Sequence, residues 1–429
     1  MKERIAIIEG LRTPFCRASA VFKDTGADDL GAFVVKELLA RTSFPVNEID
    51  EVIFGNVAQP YDAANIARVI ALKAGLPTSL IAHTVQRNCA SGMQSITAAA
   101  NELWADEARV IVAGGAESMS QIPLIYSPKM ARFFFQLAKA KNIVEKIKTF
   151  MTFRPSFLKP IIGLEQGLTD PICNLIMGLT AEKLSREFRI SRKEQDAFAL
   201  LSHQKAATAQ SDNVLKHEII PVFTPPAYTT VQEKDDGVRA DQSLEALGKL
   251  KPYFDRVTGS VTIGNSCPVS DGAAAVILMK ESTAKEKGLK PLGYLKAYSY
   301  AALDGSRMGL GPVYATAKLL QKTGLTMKDF DLIELNEAFA AQVLACEKAF
   351  ASKEFAQKYL GQSEAVGELK MDLLNVNGGA IAIGHPVGAT GTRLVITLLN
   401  ELRRRNQNIG LATLCVGGGQ GASLALEVE

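Results

Sequence analysis

Cysteines are few in this chain and none are paired in sequence. The six lie scattered at Cys16, Cys89, Cys173, Cys267, Cys346 and Cys415, with no CxxC spacing. That argues against a disulfide framework and against a structural zinc site, whose ligands come in closely spaced pairs. Excess charge is also missing. Lys plus Arg is 48 and Asp plus Glu is 45, a net of +3, so general nucleic-acid binding is not expected. No stretch reaches the ~18–20 apolar residues that span a bilayer. The opening run Ile5-Ala6-Ile7-Ile8 is well short of the ~7–15 apolar residues of a secretory signal. A cytoplasmic protein is expected, in contact with a membrane at most peripherally.

What is present is the balance of a soluble globular protein, 47% hydrophobic and 22% charged over 429 residues. That length implies roughly two or three domains. Short β-branched runs alternate with helical patterns, the signature of α/β architecture. The runs 4–9, 51–55, 109–113, 274–279, 331–335 and 409–415 read as buried strands, and 82–87 as a strand and loop. Helices fit 28–41, 93–105, 181–189, 193–209 and 388–405.

The two ends of the chain repeat one another weakly. Ile49–Asn56 matches Phe330–Glu337 in pattern. Asn88-Cys89-Ala90-Ser91-Gly92 leads into a helix and then a strand ending Ala113-Gly114-Gly115. In the same order, Asn377-Gly378-Gly379 leads through Gly388-Ala389-Thr390-Gly391 into a helix and a strand ending Val416-Gly417-Gly418-Gly419. Two duplicated α/β halves follow. The segment 129–159 fits neither half, with eight Lys or Arg and a single acid, Glu145. Phe133, Leu137, Ala140, Val144, Ile147 and Met151 follow helical spacing there. Such a basic amphipathic helix either lies on an anionic membrane or buries its apolar face on its own body or a partner subunit.

Cys89 precedes a helix, where the dipole and free N–H groups favour a thiolate. His385, in Gly384-His385-Pro386-Val387-Gly388, sits on a backbone fixed by glycine and proline, and is the natural base for it. His83, His203 and His217 lack such surroundings and read as structural or solvated. Cys415 ends an apolar strand before three glycines that let backbone N–H groups approach a ligand. Only ten residues follow Gly419, too few for a dinucleotide-binding unit. Asn336, just past a strand, suits either an oxyanion or water contact or a helix cap.

Together, Asn88-Cys89-Ala90-Ser91-Gly92, Asn336-Glu337-Ala338-Phe339-Ala340, Gly384-His385-Pro386 and Cys415-Val416-Gly417-Gly418-Gly419 resemble, in that order, the four signature blocks of the thiolase family. The resemblance extends to Arg12-Thr13-Pro14, Gly264-Asn265-Ser266 and Asp271–Ala275, and so covers essentially the whole chain. It implies a thiolase fold of two α/β halves in five layers with an inserted loop domain. The expected division is 1–122 with 252–290, then 123–251 as the insert, then 291–429. It also implies a 3-ketoacyl-CoA thiolase of fatty-acid β-oxidation with Cys89 as nucleophile, His385 as its base and Cys415 as the acid for the departing enolate. One oxyanion site would use His385 with a water held by Asn336, the other the N–H groups of Cys89 and Gly417. Met177, Ser266 and Cys267 would touch substrate. Coenzyme A is then a substrate, with no metal or other cofactor.

The segment 129–159, Gly167–Pro171 and Pro291–Leu295 resemble the β subunit of trifunctional fatty-acid oxidation complexes, implying an α-subunit partner and membrane contact. A homodimer or homotetramer is expected. There are departures. Many of those β subunits carry His at the position of Asn336. The His-Met-Gly of short-chain biosynthetic thiolases is Ile176-Met177-Gly178 here. A serine that touches CoA in some relatives aligns with Cys267. The alternatives are an acetoacetyl-CoA thiolase condensing two acetyl-CoA, and a non-catalytic thiolase-like lipid-binding protein. Ketoacyl-ACP synthases share the fold but lack the second cysteine.

Overall fold

The structure, a computed structural model, describes residues 3–429; Met1 and Lys2, which precede the first apolar run, lie outside the described residues. The first half contributes β1 (Ile5–Arg12), α1 (Ala27–Thr42), β2 (Glu51–Gly55), α2 (Ile66–Lys73), β3 (Ile81–Val85), α3 (Ser91–Trp104) and β4 (Val110–Ser118). A helical stretch follows, with α4 (Pro128–Lys139), α5 (Ile143–Phe150), α6 (Met177–Glu187) and α7 (Arg192–Ser211). The chain then returns to the sheet as β5 (Ser270–Lys280). The second half contributes β6 (Gly293–Ala302), α8 (Gly311–Thr323), β7 (Leu332–Leu335), α9 (Ala340–Ala351), α10 (Thr390–Arg404), β8 (Ile409–Val416) and β9 (Gln420–Glu427).

The duplication read from sequence is visible in the strand order. The first half runs β3-β2-β4-β5-β1 and the second β6-β9-β8-β7, with β1 and β6 joined edge to edge. β2 is parallel to β3 and β4, and β4, β5 and β1 are successively antiparallel. In the second half β7 is parallel to β8, while β8, β9 and β6 are successively antiparallel. Leu374 bridges Ile333 in parallel at the place that β3 occupies in the first half.

Side-chain alternation along these strands builds the layers, because successive residues face opposite sides of a sheet. Val52 and Phe54 pack outward against α1 and α2, while Ile53 faces a central core. That core also takes Ala412, Leu414 and Val416 of β8, with α3 and α10 between the two sheets. Leu411 and Ile333 face outward against α8 and α9. The result is five layers, helix–sheet–helix–sheet–helix. Helix α10 is buried along nearly its whole length, the expected state of a helix flanked by sheets on both sides.

The Arg12-Thr13-Pro14 block has a packing reason. The Arg12 guanidinium is fully buried and donates to both carboxylate oxygens of Asp235, at 2.7 and 2.9 Å, and to Glu218 at 2.7 Å. It therefore ties the end of β1 to the stretch that follows α7. Removing one partner of a buried ion pair strands the other charge, at about 3–5 kcal/mol. Arg12→Ala should lower the unfolding free energy by about that much, read as a fall in the urea midpoint with the slope unchanged.

Elsewhere the sequence reading needs correction. The expected single helix through 133–151 is two. Ala140 leaves helical geometry, and the Asn142 side chain caps a new start by accepting from the Glu145 N–H. Nor does the chain's own body bury the apolar face. Met130 and Phe133 are buried, but Phe135, Ile143, Val144, Ile147, Phe150 and Met151 are exposed. The strand expected at 109–113 runs on to Ser118, the helix expected from 181 begins at Met177, and the one expected from 388 begins at Thr390. The residues after Gly419 form β9, a strand not anticipated. Among the described residues no helix is long and apolar enough to cross a membrane.

Candidate functional site

The site forms where α3 of one half meets α10 of the other. Gly92 and Gly391 are what permit the approach, because a Cβ on Gly92 would lie 2.7 Å from the Thr392 nitrogen and one on Gly391 2.5 Å from the Met93 nitrogen. The halves are also stitched by the Thr392 hydroxyl, which donates to the Gly92 carbonyl at 3.0 Å.

Cys89 sits on the tight loop entering α3. Asn88 adopts a left-handed conformation (φ 42°), which short polar side chains tolerate best after glycine. Ser91 locks the loop by donating to the Asn88 carbonyl at 2.7 Å and accepting from the Arg87 N–H at 2.9 Å. The Asn88 amide donates to the Gly417 carbonyl at 2.7 Å. That contact fastens the loop to the β8–β9 hairpin, whose turn is Gly417–Gly419. Gly418 and Gly419 both have positive φ, and a Cβ on Gly419 would meet the Leu303 carbonyl at 2.2 Å. The triple glycine is thus first a hairpin turn.

His385 is held just as firmly. Its N–H donates to the Ser270 hydroxyl at 3.2 Å, and its Nδ1 lies 2.7 Å from the Thr390 hydroxyl. That hydroxyl gives its one proton to the Pro386 carbonyl at 2.9 Å, so it accepts from Nδ1–H. The network therefore assigns the Nδ1–H tautomer, leaving Nε2 without a proton and able to accept one. Asn336 points its amide nitrogen at Nε2, 3.4 Å away. Asn336 is not a helix cap, since α9 begins at Ala340 with Phe339 before it. Its Oδ1 is buried with no partner among the described residues, a polar seat for a water or substrate atom.

Cys89, His385 and Cys415 line one cavity of about 120 Å³ together with Met177, Ser266 and Cys267. Asn336 reaches it through His385. Gly417 borders it, since a Cβ there would lie 3.4 Å from the sulfur of Met177, and its backbone N–H partly offsets the rise in the Cys89 thiol. All eight candidate residues therefore converge. The rest of the wall is apolar and includes Phe254, Met308, Leu168 and Phe339. Phe254 and Met308 carry no sequence pattern that would have flagged them. Thr390 had appeared only in the repeat, yet it orients the histidine.

The expectation that the helix N-terminus favours a thiolate at Cys89 needs correction. Burial pushes the Cys89 thiol up, and the N–H groups of Gly417 and Cys89 only partly offset it. Burial likewise pushes Cys267 up to about 12 and Cys415 far up. Burial, and then the charge of Arg393, lowers His385 to about 3. At neutral pH the site thus holds thiols beside a neutral imidazole. The helix N-terminus does not by itself offset the desolvation of the thiol; the proton has to pass to a base as substrate reacts.

Of the remaining histidines, His203 is buried and accepts from the Arg239 N–H, and His83 pairs with Glu51 at 2.7 Å. Glu51, His83 and Glu102 bring potential metal-ligand atoms within 4.8 Å of one another, but none of the three lines the cavity.

Comparison with known proteins covers the chain end to end. Residues 5–282 match the family described as thiolase, N-terminal domain, and residues 289–428 match thiolase, C-terminal domain. The 3-ketoacyl-CoA thiolases of Aeromonas salmonicida and of Escherichia coli O139:H28 are each 44% identical to it over 428 residues, covering 100% of this chain and 97% of theirs. Among solved structures, Bacillus anthracis acetyl-CoA acetyltransferase superposes with a TM-score of 0.87 at 37% identity, covering 99% of both chains. Human mitochondrial 3-ketoacyl-CoA thiolase in complex with CoA superposes with a TM-score of 0.85 at 34% identity, covering 100% of this chain and 98% of that one.

Proposed function

The chain belongs to the thiolase family, and we infer that it is a 3-ketoacyl-CoA thiolase, cleaving 3-ketoacyl-CoA with CoA to give acetyl-CoA and a shortened acyl-CoA in fatty-acid β-oxidation. The observation that carries the mechanism is the meeting of Cys89, His385 and Cys415 in one apolar cavity. Cys89 attacks the 3-keto carbon as His385 Nε2 takes the thiol proton. The Cα–Cβ bond then breaks, Cys415 gives its proton to the departing enolate, and acetyl-CoA leaves. The CoA thiol next gives its proton to the Cys415 thiolate as it attacks the acyl-Cys89 thioester, the released Cys89 sulfur takes back the proton held by His385, and the shortened acyl-CoA departs.

Negative charge develops on a different oxygen in each step, so two sets of donors are required. His385 with a water seated on Asn336 serves one. The N–H groups of Cys89 and Gly417, which work against the effect of burial on the Cys89 thiol, serve the other. Met177, Ser266 and Cys267 line the acyl-CoA path. CoA is a substrate, and this thiol and proton chemistry has no step for a metal or redox cofactor.

The domain division proposed is 1–122 with 252–290, 123–251 and 291–429. A homodimer or homotetramer is proposed, supported by the unpaired outer edge of β3, where Ile81 is exposed. For a partner α subunit or peripheral membrane contact, the support is the basic, apolar-faced pair α4 and α5. A cytoplasmic location fits this reading.

Acetoacetyl-CoA condensation is the second reading, favoured by the superposition on an acetyl-CoA acetyltransferase. Assay of CoA-dependent cleavage over C4 to C16 3-ketoacyl-CoA separates the two. Turnover of medium or long chains is expected; turnover confined to C4 would replace the first reading with the second. A non-catalytic lipid-binding role would leave every substrate uncleaved.

A further inference from the structure

Glu117 is a buried acid that the mechanism above leaves unused. It lies near the end of β4, fully shielded from solvent, and among the described residues it forms no ion pair with Lys, Arg or His. Instead its carboxylate is held by backbone and amide donors from two separate loops. One oxygen accepts from the Val57 N–H and the Gly388 N–H, both at 3.0 Å. The other accepts from the Ala58 N–H at 3.0 Å and the Asn56 amide at 3.2 Å.

These two loops frame the reacting groups. Residues 56–58 leave β2, whose final residue Gly55 packs on the first turn of the Cys89 helix: a Cβ there would lie 2.5 Å from the Ser91 carbonyl oxygen. Gly388 lies inside the turn from His385 to Thr390, and Thr390 fixes the His385 ring. One side chain therefore binds the nucleophile's half to the base's half. Its length is what lets a single carboxylate touch both.

We propose that Glu117 is a positioning residue for the reaction. It sets the His385 loop against the Cys89 helix by bridging Gly388 to residues 56–58, and so holds a buried carboxylate against the loop on which that helix packs. This rests on the thiolase reading above. Burying a charge is costly unless hydrogen bonds satisfy it, and four donors here do so. Burial raises Glu117 to about 7 against the pull of those N–H groups, and Asp271 is the other charged group that pushes it up. The charge of Glu117 in turn raises Cys89. Around His385 the charged neighbour is Arg393.

Charge and reach are separable by substitution. Glu117→Gln keeps the length, removes the charge and turns an NH₂ group toward N–H donors. Glu117→Asp keeps the charge but is one methylene too short to reach both loops. The pH dependence of Cys89 alkylation by iodoacetamide, followed by mass spectrometry, reports the thiol. Steady-state cleavage of a 3-ketoacyl-CoA reports the His385 geometry, and thermal unfolding reports the folded fraction. In Glu117→Gln the alkylation midpoint should move to lower pH while kcat falls at least tenfold and KM changes less than threefold. In Glu117→Asp kcat should fall similarly with the alkylation midpoint unmoved.

Wild-type kcat in both folded variants would overturn the proposal. So would a kcat loss that merely follows the lost folded fraction, or an unmoved midpoint in Glu117→Gln. A wild-type enzyme that alkylates at Cys89 but cleaves no 3-ketoacyl-CoA would instead defeat the thiolase reading itself.

Discussion

Cys89→Ser should lower cleavage of 3-ketoacyl-CoA on the order of 10³-fold or more, with folding intact. Oxygen and sulfur differ little in size at this site but greatly in acidity. Even the native thiol is pushed above its ordinary value by burial, with two N–H groups working in the other direction. A serine hydroxyl starts far higher still, and His385, lowered to about 3, is a weak base that cannot compensate. The loss should fall on kcat, because the cavity wall that binds the acyl chain is unchanged. Intact-mass measurement after adding acetyl-CoA supplies the direct check. A 42-Da-class acetyl adduct, of order one acetyl group per chain, is expected on the native enzyme and absent from Cys89→Ala. An adduct that persists in Cys89→Ala, or near-native turnover of Cys89→Ser, would remove Cys89 from the nucleophile's place.

The second large effect is expected at Cys415, and it should be selective. Cys415→Ala should still accept an acyl group from acyl-CoA onto Cys89, since His385 and Cys89 suffice for that exchange. Carbon–carbon cleavage and formation should fall about 10²–10⁴-fold, the usual loss when a positioned acid or base is removed. The reason is in the resting state of the site. Cys415 is fully buried and held far toward its protonated form by that burial, so it is a stored proton at the cavity wall. Single-turnover acylation with acetyl-CoA, compared with steady-state cleavage of 3-ketoacyl-CoA in the same variant, separates the two steps. Equal loss in both would mean that Cys415 shapes the nucleophile and is not the acid for the enolate.

Much of this site was legible in the chain because it is built from local backbone devices. The tight entry to α3, the glycine-rich hairpin turn and the Gly384-His385-Pro386 loop each need particular residue types within a few positions. Such short patterns survive in a one-dimensional reading. Strands buried on both faces were legible for the same reason, as continuous β-branched runs. The β9 strand was missed because Gln420–Glu427 is rich in Gly, Ala and Ser, and its pairing with β8 comes from the hairpin. The break between α4 and α5 was missed because apolar spacing runs on through it, while Ala140 ends one helix and the Asn142 cap starts the next.

The sequence by itself determined the two-half α/β architecture and the family, and which cysteines and histidine to suspect. Only the tertiary structure decided their chemical state. A helix N-terminus argues for a thiolate at Cys89, but desolvation is a sum over every neighbour in space and it reverses that expectation. The tautomer of His385, the choice of Asn336 as its neighbour over a helix cap, and the bridge made by Glu117 also depend on groups far apart in the chain. Hydrogen bonding and burial are set by distance in three dimensions, and sequence patterns encode only the part of that distance that is local.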